Sequence, residues 1–226
     1  MFKSILKHAI VLQLALGSAA AFATTYTFTQ FTSNGSPSVE SQLIADVTQS
    51  GSNVLFTFTN TSVIASSITD VYFDYGSTSF FANGNAGISN NILGLAGESS
   101  GVNFSDGARP HNLPSGNTIG FSSDAAGDSN RPSSKNGVNT SSEFVAFLGT
   151  TLTGITFGDV IAGLDTGAFR LGLHVQKINY GTDDNDDDDG TSESFVNNPR
   201  AVPLPAAGWL FGSALVGLMG LHRRKL

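Results

Sequence analysis

The sequence predicts an all-β protein whose central part, residues 24–201, folds as a two-sheet antiparallel β-sandwich of jelly-roll-like type. Three observations predict it. The 226-residue chain carries 26 Gly and 17 Phe with abundant Ser and Thr, a composition of many turns and a β core rather than a helical bundle. Apolar residues recur with period two in stretch after stretch. Clusters of Asn and Gly, which tolerate positive φ, separate those stretches. No segment shows the sustained 3.6-residue stripe of a long amphipathic helix, and no fixed repeat indicates a β-helix.

In chain order, Tyr26, Phe28 and Gln30 alternate with Thr25, Thr27 and Thr29. Val54, Phe56 and Phe58 alternate with Leu55, Thr57 and Thr59, and Asn60 follows as a stop. Ile68–Tyr75 is rich in strand formers and ends at Gly76. Tyr72 and Phe73 fall on opposite faces of that strand, which assigns one of them to the core. Phe144–Leu148 and Ile155–Phe157 read as two further strands. Phe169, Leu171, Leu173 and Val175, alternating with Arg170, Gly172, His174 and Gln176, form the clearest half-buried strand. Asn83-Gly84-Asn85, Ser89-Asn90-Asn91 and Asn136-Gly137 mark turns. Residues 159–164 are the best helix candidate. Pro110, Pro114 and Pro132 punctuate 105–140, which reads as a long irregular excursion.

The two ends differ from the middle. Lys3 and Lys7 precede a short apolar run that closes on Ala21-Phe22-Ala23, the pattern of a signal peptide over residues 1–23, with cleavage before Thr24. Residues 202–226 read as an anchor. From Leu204 to Leu221 no residue is charged, and these residues as a helix span about 27 Å, just short of the hydrocarbon core. Trp209 sits near one end of the span, and Arg223, Arg224 and Lys225 close the other, which the positive-inside bias keeps cytoplasmic. The ectodomain between carries 6 basic and 18 acidic residues, a net of −12. That charge repels phosphate backbones and argues against nucleic-acid binding. With 0 Cys, disulfides, thiolate metal sites and cysteine nucleophiles are excluded.

The tail resembles the PEP-CTERM family of bacterial sorting signals, most closely its VPLPA variant. The motif residues Val202, Pro203, Leu204, Pro205 and Ala206 are followed by Trp209-Leu210-Phe211-Gly212-Ser213, a Gly-rich apolar helix and the basic cluster. The resemblance implies an exosortase partner, a membrane cysteine protease that cleaves at or near the proline motif, in a Gram-negative source that makes extracellular polysaccharide. It places the ectodomain first in the periplasm on an inner-membrane anchor, then at the cell surface, secreted or in a biofilm matrix. An ordinary C-terminal anchor gives the same topology without cleavage. Val54–Asn60, Ile68–Tyr75, Asn136–Asn139, Leu171–Gln176 and Ser192–Val196 also resemble an ectodomain type that recurs among PEP-CTERM proteins, one with no established activity.

No motif in the ectodomain specifies a chemistry. There is no Gly-x-Ser-x-Gly elbow, phosphate loop, HExxH or GxGxxG. A secreted hydrolase would have to centre on His111 or His174, and nothing in the sequence positions a partner for either. The concentrated feature is the acidic run 183–190. Alternate hard oxygens at Asn185, Asp187 and Asp189, with Glu193 beyond, suit a weak Ca²⁺ site, although position 12 of an EF-type loop is Val196. A solvated, self-repelling loop with no cofactor is the favoured reading, and the calcium site is the alternative. A glycan-binding module is the second functional class, but Trp209, the single Trp, lies in the tail. A single Thr-alternating strand does not supply an ice-binding array. The sequence therefore reads as a non-enzymatic, exported, exosortase-sorted protein with a structural or adhesive role beside extracellular polysaccharide.

Overall fold

The computed structural model describes residues 23–81, 102–131, 133–179 and 191–199. Residues 1–22 of the expected signal peptide, the sorting tail and the acidic run 183–190 lie outside the described residues, and Ala23, the last residue of that peptide, opens the first strand. Among the described residues nine antiparallel strands make up the fold: β1 Ala23–Gln30, β2 Leu43–Ser50, β3 Asn53–Asn60, β4 Ser67–Asp74, β5 Phe104–Asp106, β6 Ala125–Ser129, β7 Phe144–Thr150, β8 Arg170–Ile178 and β9 Thr191–Asn197. Helices are few: a single turn, α1 Ser133–Asn136, and α2 Phe157–Thr166, besides two 3₁₀ turns at Glu40–Gln42 and Gly116–Ile119. The protein is all-β. Among the described residues no helix is long and apolar enough to cross a membrane.

The hydrogen-bonded ladder is single, in the order β5-β6-β4-β8-β9-β1-β2-β3-β7. Two separate sheets were expected, and β1 is what joins them. Its first part pairs with β2, Ala23 opposite Thr48 through Thr27 opposite Ile44. Its last part turns to β9, Phe28 opposite Asn197 through Gln30 opposite Phe195. The sheet nearly closes, because Phe104 on edge strand β5 meets Phe147 on edge strand β7 with ring centroids 6.3 Å apart.

The core sits inside this curve. Phe56 and Phe58 of β3 meet Phe73 of β4 edge-on at 5.4 and 6.1 Å, and Phe147 contacts both Phe58 and Phe73 at 5.9 and 5.4 Å. Edge-to-face geometry adds about 0.5–1.5 kcal/mol per pair beyond the area buried. Gly127 of β6 allows this packing, since a Cβ there would lie 2.5 Å from the Phe147 ring.

Two expectations fail locally. Ile155–Phe157 is not a strand: Thr156 caps α2, its Oγ1 accepting from Asp159 N at 3.2 Å while Asp159 Oδ2 accepts from Thr156 N at 2.8 Å. That capping box turns the chain into a helix, which ends at Gly167 in the left-handed region. The excursion 105–140 is more ordered than its prolines suggest. It contains β6 and α1, and its segment 107–123 folds back over the outer face of β4 and β8. Tyr72 is consequently buried too, in a second cluster with Leu113, Phe121 and Ala126, and Gly172 leaves the space this cluster fills, since a Cβ there would lie 2.8 Å from Leu113.

A candidate polar site on the covered face of the sheet

Alternation places Asp70, Tyr72 and Asp74 of β4 on the face away from the aromatic core, and Arg170, Gly172, His174 and Gln176 of β8 beside them. The register sets Asp70 opposite both His174 and Asp128, and Asp74 opposite Arg170. Two polar groups result, one towards each end of β4.

At the β4 C-terminal end, Arg170 clamps the excursion to the sheet. Its Nε donates to Asp74 Oδ2 at 3.1 Å, its Nη2 donates to the same oxygen and to the Gly120 carbonyl, and its Nη1 donates to the Ile119 carbonyl at 2.9 Å. The guanidinium lies over the Phe121 ring, 5.1 Å from its centroid. Asp74 also accepts from the backbone of Gly76 and Ser122. A polar cleft of about 400 Å³ opens here, lined in part by Asp74, Asp124 and Arg170. Burial pushes the Asp124 carboxyl up and the charge of Asp74 adds to that, while the Tyr75 N–H works against both.

At the other end, His174 Nδ1 lies 3.0 Å from Asp70 Oδ2 and 3.3 Å from Gln176 Nε2. Thr69 Oγ1 donates to Asp70 Oδ2 at 2.9 Å. Asp128 shares this pocket of charge. Burial first, then the charge of Asp70 and a hydrogen bond to it, raise the Asp128 carboxyl to about 6, against the opposing pull of Arg131 and Arg109. Asp70 Oδ1 is buried and has no hydrogen-bond partner among the described residues. Burial, Asp70 and Asp128 likewise push the Tyr72 phenol up, and its hydroxyl donates to the Pro110 carbonyl at 3.1 Å. Beside this network a groove of about 630 Å³ is lined by Arg109, Arg131, Ser133, Ser134 and Gln176.

His174, assigned by alternation to a polar face, is therefore half-buried and paired. His111 is exposed beside a separate pocket of about 130 Å³ with Ser123 and Asp124, so the two histidines do not share a site. The cross-strand neighbour of His174 on β9 is Ser194, which is buried.

Of the expected calcium ligands, Asn185, Asp187 and Asp189 lie outside the described residues. Glu193 is buried, and both of its oxygens are engaged. Oε1 accepts from Asn34 N at 2.5 Å and Ser36 Oγ at 3.0 Å, and Oε2 accepts from Thr32 Oγ1 at 2.5 Å. Burial pushes this carboxyl up, but the hydrogen bonds outweigh it and hold it below the usual range. Glu193 thus ties the 31–36 loop to β9. The sorting-motif residues Val202–Ala206 and the basic residues Arg223, Arg224 and Lys225 also lie outside the described residues. Among the described residues no group of three or more His, Asp or Glu is placed to hold a metal.

Sequence reasoning missed Asp70, Asp128, Arg109 and Arg131. A signal for Asp70 and Asp74 was present: acids inside an otherwise apolar strand read as buried, paired groups. No protein-family model matches the chain, and comparison with curated proteins and with solved structures yields no match.

Proposed function

We propose that this chain is an exported, non-enzymatic protein of the bacterial surface or extracellular matrix. Its C-terminal helix first holds it in the inner membrane with the ectodomain in the periplasm, and an exosortase then processes it. Its role is structural or adhesive among extracellular polysaccharide. The observation that carries this reading is the order within Val202–Lys225: proline motif, uncharged Gly-rich span, basic cluster.

The geometry of the ectodomain supports it. Asn198 donates its N–H to the Thr27 carbonyl at 2.9 Å, so β9 hands the chain on beside the start of β1. Ala23 is four residues further along β1, about 13 Å. The signal-peptide end and the tail therefore leave the same pole of the fold, three residues separating Pro199, the last described residue, from Pro203. That pole faces the membrane in this reading. The ends of β8 and β9 that flank the acidic run face away from it.

We also infer that the sheet works as two packed layers in the jelly-roll manner. The aromatic contacts between β3 and β4, strands from opposite sides of β1, favour that packing. A weak Ca²⁺ site in the acidic run belongs to the same reading. The ligand set is Asn185, Asp187, Asp189 and Glu193, the last already engaged by the 31–36 loop, and calcium titration followed by thermal melting tests it, with no shift at millimolar Ca²⁺ leaving only the solvated loop.

The decisive experiment is a C-terminal epitope tag followed through fractionation in the native host with and without its exosortase. The tag is expected to separate from the ectodomain only when the protease is present. Replacing Val202–Pro205 by a helix-forming sequence is expected to leave the full-length form in the inner membrane, because Pro203 and Pro205 keep the segment extended for the protease. A tag that stays joined equally in both strains makes a plain anchor the better account.

A further inference from the structure

We propose that the Arg109–Arg131 groove binds the carboxylates of an acidic, uronate-bearing polysaccharide. The inference starts from charge. The ectodomain holds 18 acidic residues against 6 basic ones. Among the described residues the basic side chains are Arg109, Arg131, Lys135, Arg170 and Lys177. Arg170 is consumed by Asp74. Arg109 and Arg131 line one groove, Lys135 follows Ser133 and Ser134 on α1, and Lys177 adjoins Gln176 on β8. Arg109 and Arg131 are exposed and feel the charge of Asp128, but among the described residues neither closes an ion pair.

The groove is also built. Gln176 lies beside His174, whose Nδ1 is 3.0 Å from Asp70, buried in β4. Ser133 anchors the opposite wall, its carbonyl accepting from Ser129 Oγ at 2.9 Å. Two guanidinium forks side by side can match carboxylates bidentately. The hydroxyls of Ser133 and Ser134 and the amide of Gln176 suit sugar hydroxyls. A volume of about 630 Å³ accommodates a short run of sugar rings. Among the described residues no aromatic side chain lines the groove, so the recognition proposed rests on charge and hydrogen bonds rather than on stacking. The choice of a saccharide as the source of the carboxylates rests on the surface reading proposed above.

The test is calorimetric titration of the full chain in detergent with oligogalacturonate, its methyl ester, polyglutamate and sulfate. Oligogalacturonate is expected to bind, more weakly as salt rises. The neutral ester and free sulfate are expected not to bind measurably. Arg109→Gln and Arg131→Gln are each expected to weaken binding about tenfold, the loss of one charged hydrogen bond at a partly exposed site. Their melting temperatures should equal the wild type's, since both side chains are exposed. Absence of oligogalacturonate binding, or binding unchanged in the double variant, overturns the proposal. Polyglutamate binding as tightly as oligogalacturonate overturns the saccharide assignment. The tag experiment is independent of this one: a chain that is sorted but does not bind refutes only the groove, and one that binds but is not sorted refutes only the surface role.

Discussion

Along β2 and β3, buried and partly exposed residues alternate one by one, whereas β4 is buried at every position. Both stretches read as strands from the same pattern of apolar residues. The difference is what covers the outer face. Over β1, β2, β3 and β7 that face carries Thr25, Thr27, Thr57 and Thr59 and is left to solvent. Over β4 and β8 it is roofed by the excursion 107–123. Roofing changes the chemistry available to a side chain. A threonine on the open face can turn to water, while an aspartate under the roof must find a cation, a proton or a donor. The buried or ion-paired groups Asp70, Asp74, Asp128, His174 and Arg170 accordingly lie on the roofed side, whereas Asp46 on the open face meets only the Thr25 hydroxyl among the described residues.

This comparison can be broken in order of size. Phe58→Ala removes a ring that packs on Phe28, Phe73 and Phe147 where the two sides of the sheet meet. It should cost about 3–5 kcal/mol and unfold both sides together in a denaturant melt. Arg170→Ala should cost about 3 kcal/mol, because it leaves the buried Asp74 unpaired. Its effect is expected to be uneven, with hydrogen exchange accelerating in 107–123 well before it does in β2 and β3. Arg170→Lys should recover little, since one ammonium cannot reach Asp74 and the carbonyls of Ile119 and Gly120 at once.

Asp128 sharpens the comparison through pH. Its carboxyl is raised to about 6 in the fold from 3.8 unfolded, so the folded state binds the extra proton. Stability should therefore fall as pH rises from about 4 to 6, by on the order of 1 kcal/mol after allowing for solvent screening. Asp128→Asn should remove most of that slope and leave the smaller part due to Asp124, whose carboxyl is also raised. Glu193 acts with the opposite sign: its carboxyl is held below 4.5, so its contribution is present above that pH and is lost as pH falls through the folded value. The two groups bracket a shallow stability maximum in mildly acidic solution. At the small end, Thr57→Val on the open face should change stability by less than about 0.5 kcal/mol.

Legibility in the sequence followed the same division. Residues 54–60 and 169–176 were read as strands because one face of each is apolar without interruption. The β2 strand was missed, as Asp46, Thr48 and Gln49 dilute its alternation, yet Ala45 and Val47 are fully buried. The excursion was read as irregular from its prolines, and its role as a roof was not visible. That role depends on Leu113 and Phe121 reaching a hole left by Gly172, a relation across about fifty residues that no local pattern encodes. Asp70 and Asp128 were illegible as a pair for the same reason: strand order, rather than spacing, brings them together.

The way β1 divides its pairing has a consequence for the order of assembly. Chains are made from the N-terminus, so β1 is among the first segments to emerge and meets β2 almost at once. Its other partner arrives last, and the bond from Thr29 to Asn198 spans 169 residues. Until then the far half of β1 is an open template of unpaired N–H and C=O groups, the kind of edge that recruits strands from other chains. The nascent protein is most vulnerable to intermolecular pairing in this interval, and it ends only when the last strand before the C-terminal tail docks.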